Sequence, residues 1–323
     1  MNQSAKELEE AVNREVSKVI IGKSDRIRLI TAALLEGGHI LLEDLPGVGK
    51  TTLVKCLARV LGCSSKRIQF TPDMLPSDIV GMNIYDRNTG EFRLLKGPVV
   101  TNLLLADELN RAIPRTQSAL LEAMEERQIT IDGNTEKLPK PFCVLATQNP
   151  VESESTFRLP AAQTDRFLIC LSLGYPTAEE EMEMLRTVGN EIAIDRLEIV
   201  TGPEKLTQLS QEIQDEVRIS DEVAAYIVGL CAATRCDPCI KLGASPRATR
   251  SLYRVSKCLA AISGRDYVTP DDVKELAGPV LCHRIMLSSR ASMEGKTPKT
   301  VIDELLDAHP VPPETKTLFD GHR

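Results

Sequence analysis

Residues 39–62 read HILLEDLPGVGKTTLVKCLARVLG, an apolar run followed by a glycine-containing loop and then by a run with helical spacing. This order predicts a β-strand, a tight loop and an α-helix whose amino terminus faces the loop. The backbone N–H groups of such a loop and the positive end of the helix dipole bind phosphate. Gly47 and Gly49 let the backbone approach a phosphate where a side chain would collide. The stretch therefore predicts a phosphate-binding loop on an α/β scaffold.

The loop also predicts binding of ATP together with Mg²⁺. Lys50 is the candidate for bridging the β- and γ-phosphates, and the hydroxyl of Thr51 is the candidate for binding the metal ion. One position departs from the general pattern G-x-x-x-x-G-K-[ST], because Asp44 stands where the first glycine is expected. That position is at the mouth of the loop, so we expect the phosphate cradle to tolerate the change. The nucleotide-binding candidates in this stretch are Pro46, Gly47, Val48, Gly49, Lys50, Thr51 and Thr52.

Two adjacent acidic residues end another apolar run, LLLADE at 103–108. Asp107 is the candidate for holding the water shell of the metal, and Glu108 is the candidate general base for the attacking water. Because adjacent residues on a strand point to opposite sides, one can face the metal while the other faces the γ-phosphate. The alternative is an ordinary helix cap. The position of the pair at the end of a predicted strand downstream of the loop favours the catalytic interpretation.

Three further polar residues lie close to the ends of predicted strands. Asn149 follows the run at 142–147, where its amide can reach the γ-phosphate, although asparagine before proline is also a common turn former. Arg166 begins the predicted strand 166–171, and Arg247 follows a predicted helix start. Arginines often stabilise the charge on a γ-phosphate, from the same subunit or from a neighbour. A surface salt bridge is the alternative for each arginine.

Five short apolar runs predict the α/β core, and they lie at 39–43, 67–70, 101–106, 142–147 and 166–171. Helical patterns separate most of these runs, and alternating strands and helices form a parallel sheet with right-handed crossovers. Two stretches, 84–97 and 128–139, each predict an inserted β-hairpin, with turns at 88–90 and 132–134. We assign the nucleotide-binding core to residues 1–174.

The strand pattern stops after Pro176, so we assign residues 175–323 to an all-helical lid domain. Helix starts are clear in this region. Thr177 and Thr269 are each followed three residues later by an acid, which is the spacing of a capping box. Ser245 precedes Pro246, which suits an N-cap followed by a first-turn proline.

Composition limits the kinds of partner that we expect. The net charge is −7, aromatic residues make up 3%, and tryptophan is absent. Nucleic acid is therefore disfavoured as the main partner, because duplex binding needs a basic surface and base stacking needs aromatic side chains. We expect neither a membrane span nor a secretory signal. Nine cysteines are expected to stay reduced in the cytoplasm.

Three cysteines have a spacing that raises the possibility of a metal or iron–sulfur site. Cys231, Cys236 and Cys239 follow the pattern C-x₄-C-x₂-C, which is typical of plant-type ferredoxin ligands, and Cys258 could be a fourth ligand. Cys231 and Cys258 lie in helical patterns, however, and no second close pair exists. Ordinary reduced thiols are the preferred interpretation.

Six segments, taken in order, resemble the successive motifs of the MoxR family of AAA+ ATPases. They are LLEDLPGVGKTT (41–52), QFTPDMLPSDIVG (69–81), ADELNRAIPRTQSALLEAMEE (106–126), ATQNP (146–150), LPAAQTDRF (159–167) and GASPRA (243–248). The resemblance covers roughly residues 19–287. It implies a ring that hydrolyses Mg-ATP, with a hexamer expected, and that remodels or assembles partner proteins or inserts metal cofactors. A protein with a von Willebrand factor A domain is an expected partner.

The resemblance also implies roles for individual residues. Arg166 corresponds to the arginine finger that reaches the ATP of a neighbouring subunit, and Arg247 corresponds to the sensor arginine of the lid. Asn149 corresponds to the first sensor. Ile21 and Gly22 resemble the segment that contacts adenine. The two hairpins correspond to the helix-2 and pre-sensor-1 inserts of the family.

Two places depart from the family pattern. Phe157 and Arg158 stand where the family usually has Tyr-Pro, and Thr164 stands where a large aliphatic residue is common. Arg158 adds a positive charge near the expected subunit interface. It is therefore a second candidate for the arginine that acts on the neighbouring subunit.

Two other functions are compatible with a phosphate loop. The first is a nucleotide-gated scaffold that binds ATP with negligible turnover, and the intact set of motifs disfavours it. The second is a DNA-associated motor on the same core, and the acidic balance of the chain disfavours that one.

Overall fold

The computed structural model describes residues 2–44, 47–88, 90–148, 157, 159–187 and 192–311. Its helices are α1 Asn2–Ser17, α2 Ser24–Leu35, α3 Lys50–Val60, α4 Pro76–Val80, α5 Pro114–Glu126, α6 Ala161–Thr164, α7 Ala178–Thr187, α8 Pro203–Glu216, α9 Asp221–Cys236, α10 Pro246–Ile262, α11 Pro270–Leu281, α12 Ser289–Met293 and α13 Pro298–Ala308. Its strands are β1 Ile40–Glu43, β2 Ser65–Gln69, β3 Gly81–Asp86, β4 Glu91–Lys96, β5 Leu103–Asp107, β6 Gln128–Ile131, β7 Asn134–Lys137, β8 Cys143–Gln148, β9 Ile169–Leu171, β10 Ile240–Leu242 and β11 Met286–Leu287.

Five of these strands form a parallel sheet in the order β2-β5-β8-β1-β9. All five predicted core strands are present, so the predicted α/β class is confirmed. The fifth begins at Ile169, and the prediction that Arg166 opens it is wrong. The backbone N–H groups of Arg166 and Phe167 donate to Gln163 and Thr164, which continues the turn of α6 and delays strand pairing.

Side chains of the central strands alternate between two apolar clusters. Leu103 and Leu105 of β5 belong to the cluster that includes α1, α2 and α3, whereas Leu104 and Ala106 belong to the one that includes α5. Both faces of the sheet are thus covered, which explains why the strands read as continuous apolar runs. In the three central strands β1, β5 and β8, polar residues are found toward the carboxyl edge of the sheet.

The two predicted hairpins are present as the antiparallel pairs β3–β4 and β6–β7. Asp132 and Gly133 form a two-residue turn with φ values of 49° and 82°, which matches the twist of the flanking strands. Asn134, which was predicted to lie in that turn, already belongs to β7. The hairpins contact each other, since the amide of Asn83 donates to Asp132 over 2.8 Å.

The region after β9 is helical, as predicted, with one exception. Strands β10 and β11 form a short antiparallel pair, so the expectation of an all-helical lid is wrong in this detail. The predicted helix starts are present: Ser245 accepts from the N–H of Ala248 over 3.2 Å, and Thr269 and Asp272 form a capping box.

Helix α10 is the centre of the lid and also contacts the amino-terminal helices. Its buried face includes Leu252, Val255 and Leu259, which belong to the same apolar cluster as Val12 of α1 and Ile30 of α2. The core and the lid therefore share one continuous apolar cluster, and the division at residue 174 stays a prediction.

Across the described helices, none combines the length and the apolar composition that crossing a membrane requires.

Candidate active site

The phosphate loop lies at the carboxyl edge of the sheet, between β1 and α3. Gly47 and Gly49 have φ values of 88° and 84°, and a Cβ on either would meet no atom within 4 Å. Helix α3 begins at Lys50, so Thr51 and Thr52 lie in its first turn. Backbone N–H groups in such a turn attract anions. The space in front of the loop can therefore admit phosphate groups.

Asp44 makes a specific contact at the mouth of this loop. Its side chain is buried and accepts hydrogen bonds from the hydroxyl of Ser172 at 2.7 Å, the N–H of Leu173 at 2.8 Å and the N–H of Gly174 at 3.0 Å. Its carbonyl oxygen accepts from the Nζ of Lys50 at 3.2 Å. A glycine could not make the side-chain contacts, so Asp44 fastens the loop to the segment that leaves β9 toward the lid.

The two acidic candidates lie close together at the end of β5. Asp107 is the last residue of the strand, and Glu108 has φ 57°, in the left-handed region. The strand alternation that we expected to separate the two carboxylates is therefore not what separates them. The chain turns at Glu108 and enters a 3₁₀ turn, and this turn sends the second carboxylate in a different direction.

Each acid is held by side chains that the sequence did not single out. Oδ2 of Asp107 accepts from Nη2 of Arg67 at 2.7 Å, and Glu108 accepts from the amide of Gln69 at 2.7 Å. Glu108 also pairs with Arg111 at 3.2 Å. Arg67 and Gln69 contact each other at 2.6 Å, so they link the two carboxylates through the edge strand β2.

A threonine on the neighbouring strand completes this cluster. The hydroxyl of Thr147 donates to Oδ1 of Asp107 at 2.6 Å and accepts the N–H of Glu108 at 2.8 Å. Arg67 and Gln69 alternate along a largely exposed strand, and Thr147 lies within an apolar one. The sequence signal for these three is polarity within a predicted core strand, which is too common to single them out.

The candidate arginines are brought together at one carboxylate of α5. Arg166 pairs with Glu125 over 3.4 Å, and Arg247 also forms an ion pair with Glu125. Arg127, which follows directly after α5, donates to the carbonyl groups of Gly37 and Phe142.

Phe142 directly precedes β8, and Gly37 lies shortly before β1, so the end of α5 lies at the amino edge of the sheet. The phosphate loop follows the carboxyl end of β1. The sheet therefore separates Arg166 and Arg247 from the phosphate loop of their own chain.

A buried ion pair fixes the segment that carries Arg166. Asp165 accepts from Nε of Arg284 at 2.9 Å and from the hydroxyl of Ser245 at 2.9 Å. The Arg284 side chain is only 1% exposed, and its burial lowers the pKa of the guanidinium to about 10 against the opposing effect of Asp165. The pair joins the turn after α6 to the start of α10 and the end of α11. Sequence reasoning missed Arg284, because nothing near it in the chain marks a partner 119 residues away.

Comparison with known proteins agrees with this geometry. A family model described as "ATPase family associated with various cellular activities (AAA)" matches residues 39–169, and another described as "AAA lid domain" matches residues 232–305. The chaperone MoxR1 of Mycobacterium tuberculosis is 40% identical, over 95% of this chain and 83% of that protein.

The chain belongs to the MoxR family of AAA+ ATPases. The YeaC protein of Bacillus subtilis is 48% identical, over 92% of each chain. A crystal structure of a protein from Cytophaga hutchinsonii has a TM-score of 0.88 and 40% identity, and the match covers 96% of this chain and 98% of that one. The predicted family and the predicted ATPase activity are thus confirmed. The matches extend over most of the length of this chain and of each relative.

The segment that resembles the adenine contact lies beside the start of the lid in this MoxR ATPase. Gly22 has φ 73°, and a Cβ there would overlap the side chain of Glu180 at the start of α7. The Nζ of Lys23 donates to the carbonyl of Tyr175 at 3.1 Å. Ile21 and Gly22 therefore lie where the chain enters the lid, and their contact with adenine stays a prediction.

Among the described residues of this MoxR ATPase, the cysteines of the pattern are not grouped as metal ligands. Within the described part of the chain, which includes every cysteine, no three His, Cys, Asp or Glu side chains are grouped as metal ligands. Cys231 and Cys258 are buried in α9 and α10, and burial raises the pKa of each thiol. A raised pKa disfavours the thiolate that a metal needs. Ordinary reduced thiols stay the preferred interpretation.

Three candidate residues lie outside the described residues. They are Pro46 of the phosphate loop, the first-sensor candidate Asn149, and the alternative trans arginine Arg158. Their predicted roles stay predictions.

Proposed function

We propose that this MoxR ATPase works as a ring, with a hexamer expected, in which each ATP is hydrolysed between two subunits. The observation that carries the proposal is the joint position of Arg166 and Arg247 at Glu125, at the edge of the sheet opposite their own phosphate loop. Arginines at this edge are remote from their own ATP. They suit the ATP of a neighbour, whose carboxyl edge would face them in a ring.

The residues at the carboxyl edge fit ATP and Mg²⁺. The two glycines leave open space in front of the loop, and the start of α3 supplies N–H donors and the hydroxyl of Thr51. Asp107 and Thr51 offer oxygen donors, which are the ligands that Mg²⁺ prefers. When bound, Mg²⁺ neutralises charge on the β- and γ-phosphates.

Each protein group then has one proposed task. Lys50 leaves the carbonyl of Asp44 and binds the phosphates. Asp107 holds the water shell of the metal, and Glu108 accepts a proton from the attacking water. Asn149 orients that water. Arg166 and Arg247 stabilise the charge that develops on the γ-phosphate of the neighbouring subunit.

We further propose that hydrolysis drives remodelling or assembly of partner proteins, including insertion of metal cofactors. The support is the relationship to MoxR1, which is called a chaperone, together with the overall likeness to the MoxR proteins. A protein with a von Willebrand factor A domain is the proposed partner. The helical lid and the hairpins are the parts whose positions would follow the nucleotide state.

A subunit-mixing experiment tests the shared site. Glu108→Gln and Arg166→Ala proteins are purified separately, and each alone should have less than about a hundredth of the parent ATPase rate. In a mixture, some interfaces combine the intact acid pair of the Arg166→Ala subunit with the intact arginine of the Glu108→Gln subunit. We therefore expect the mixture to regain a substantial part of the parent rate.

The matched control is Arg290→Ala, which removes an arginine that is 89% exposed and pairs with Glu294 at the end of α12. This protein should keep the parent rate. If mixing restores no activity although the subunits co-assemble by native mass spectrometry, Arg166 does not act on a neighbour.

A further inference from the structure

Thr147 is a buried polar residue that contacts both candidate acids of the active site. It is 1% exposed and lies in β8, which pairs with β1, the strand before the phosphate loop, on one side and with β5 on the other. The three residues before it, Val144, Leu145 and Ala146, are apolar and buried. A valine would therefore fill this position without placing a polar group in the sheet. A buried hydroxyl is costly unless it is hydrogen-bonded.

The hydroxyl of Thr147 uses both of its capacities. The N–H of Glu108 can only donate, so the hydroxyl must accept it, and this distance is 2.8 Å. The single proton of the hydroxyl is then directed to Oδ1 of Asp107, at 2.6 Å. The two bonds fix the direction of the Asp107 carboxylate relative to the peptide that begins Glu108.

The hydrogen bond from the N–H of Glu108 to Thr147 supports an unusual backbone conformation. Glu108 has φ 57° and ψ 46°, and a non-glycine residue rarely adopts the left-handed region without support from its surroundings. The bond from its N–H to Thr147 holds the chain at the point where the strand ends. It therefore also sets the direction in which the Glu108 side chain leaves the sheet.

The two oxygens of Asp107 have different partners. Oδ1 is bound by Thr147, inside the sheet, whereas Oδ2 is bound by Arg67, whose side chain is 49% exposed. An exposed arginine on an edge strand can exchange its partner easily, because such a pair is weak in water. The buried hydroxyl of Thr147 lies between two strands and cannot exchange its partner in this way. Oδ2 can thus change partner while Oδ1 stays in place.

We propose that Thr147 is the positioning residue of the acid pair. It orients Asp107 so that Oδ2 points toward the water shell of the metal, and it holds Glu108 in the turn that aims its carboxylate at the attacking water. The proposal rests on the proposed roles of Asp107 and Glu108. Thr147 itself touches neither nucleotide nor metal.

The test compares Thr147→Val, which keeps the shape and loses both bonds, with Thr147→Ser, which keeps the hydroxyl. Binding of Mn²⁺ to the ADP-bound protein is measured by electron paramagnetic resonance, and the ATPase rate is measured in parallel. Residues that orient a metal ligand typically contribute about 10- to 100-fold to metal affinity or activity. We expect Thr147→Val to weaken Mn²⁺ binding about tenfold and to lower kcat at least tenfold, with ADP affinity in the absence of metal unchanged. Thr147→Ser should restore both values to near the parent.

Two outcomes would overturn the proposal. One is parent-like Mn²⁺ binding and kcat in Thr147→Val. The other is loss of folding in Thr147→Val, seen as a missing cooperative urea transition, since the hydroxyl would then be required for structure.

Asp107→Asn in the same Mn²⁺ assay reports on the proposed function separately. If Asp107→Asn binds Mn²⁺ like the parent, the assigned role of Asp107 fails. If Asp107→Asn weakens binding and Thr147→Val does not, only the positioning role of Thr147 fails.

Discussion

Asp44 departs from the general phosphate-loop motif, and its side chain has a structural role in this chain. The general phosphate-loop pattern has glycine here, whereas this carboxylate is buried and accepts three hydrogen bonds from residues 172–174. Those residues lead from β9 into the lid. The first residue of the loop and the start of the lid connection are thus held together by one side chain.

Replacing Asp44 by glycine restores the general pattern, and we expect it to destabilise the protein. The hydroxyl of Ser172 and the N–H groups of Leu173 and Gly174 would lose their acceptor. An unsatisfied buried donor costs about 1–3 kcal/mol. Some of these donors will recover a bond with water, so we expect a loss of roughly 2–4 kcal/mol in the free energy of unfolding, measured by urea denaturation.

Asp44→Asn is the matched variant, because it keeps the shape and one acceptor oxygen. Its free energy of unfolding should lie between that of the parent and that of Asp44→Gly. A stability of Asp44→Gly equal to the parent would show that the three bonds do not stabilise the fold.

Sequence patterns predicted the residues of this site that belong to contiguous motifs, and they missed those that do not. The loop glycines, Lys50 and the acid pair are each next to an apolar strand in the chain, so local order reveals them. Arg67 and Thr147 reach Asp107 only through strand pairing across 40 residues of chain. Nothing local encodes that pairing, because it depends on the order of strands in the sheet.

At the scale of elements, the contact between α2 and the lid contains a largely buried acid. Glu36 follows α2, forms an ion pair with Nε of Arg254 on α10 at 2.7 Å, and accepts from the amide of Gln214 on α8 at 2.8 Å. Burial raises its pKa from 4.5 to about 7, although Arg254 and the more distant Arg250 and Arg127 oppose the rise. A negative charge at the end of a helix is also unfavourable.

This raised pKa predicts how stability depends on pH. The folded carboxyl binds its proton more tightly than the unfolded one, so its favourable contribution is complete below pH 4.5 and is lost as the pH rises through about 7. The loss is at most roughly 3 kcal/mol. In Glu36→Gln, which keeps an acceptor but does not titrate, the fall in stability between pH of about 5 and 8 should be smaller than in the parent.

Urea unfolding at several pH values measures the free energy of unfolding of Glu36→Gln and of the parent. Subtracting one from the other removes the contribution of every titrating group that the two proteins share. Glu294→Gln is the control, because this acid is 48% exposed and pairs with Arg290 on the surface. Its pH profile should follow the parent. Parallel profiles for Glu36→Gln and the parent would mean that Glu36 titrates normally in the folded protein.

Elements differed in how well sequence predicted them, and length is the main reason. The core strands and both hairpins were predicted because apolar runs or alternation extend over several residues. Strands β10 and β11 have three and two residues, too few for any period to appear. The fifth core strand was predicted to start early, because Phe167 and Leu168 are apolar and buried although they lie in the turn after α6.

At the scale of the whole molecule, the sheet separates the phosphate loop and the acid pair from the two candidate arginines. The loop and acid pair are at the carboxyl edge, and the arginines joined by Glu125 are at the amino edge. A single subunit thus has one group of residues at each edge of the sheet. In the proposed ring, head-to-tail contacts would bring the carboxyl edge of one subunit to the amino edge of the next at every interface. Sequence could not predict the shared carboxylate, because Glu125 is one of several acids at the end of α5.

The proposed action on partner proteins predicts that binding of a client depends on the nucleotide. In the proposed ring, the Glu108→Gln protein should bind ATP without hydrolysing it, because the phosphate loop is intact and the proposed general base is removed. It should therefore stay in its ATP conformation and retain partner proteins, including one with a von Willebrand factor A domain, in affinity purification with ATP. The control is the double variant Lys50→Ala, Glu108→Gln, which lacks the lysine for the phosphates and should retain none of them. Equal recovery of the same proteins with and without ATP, or with the double variant, would contradict a nucleotide-driven action on clients.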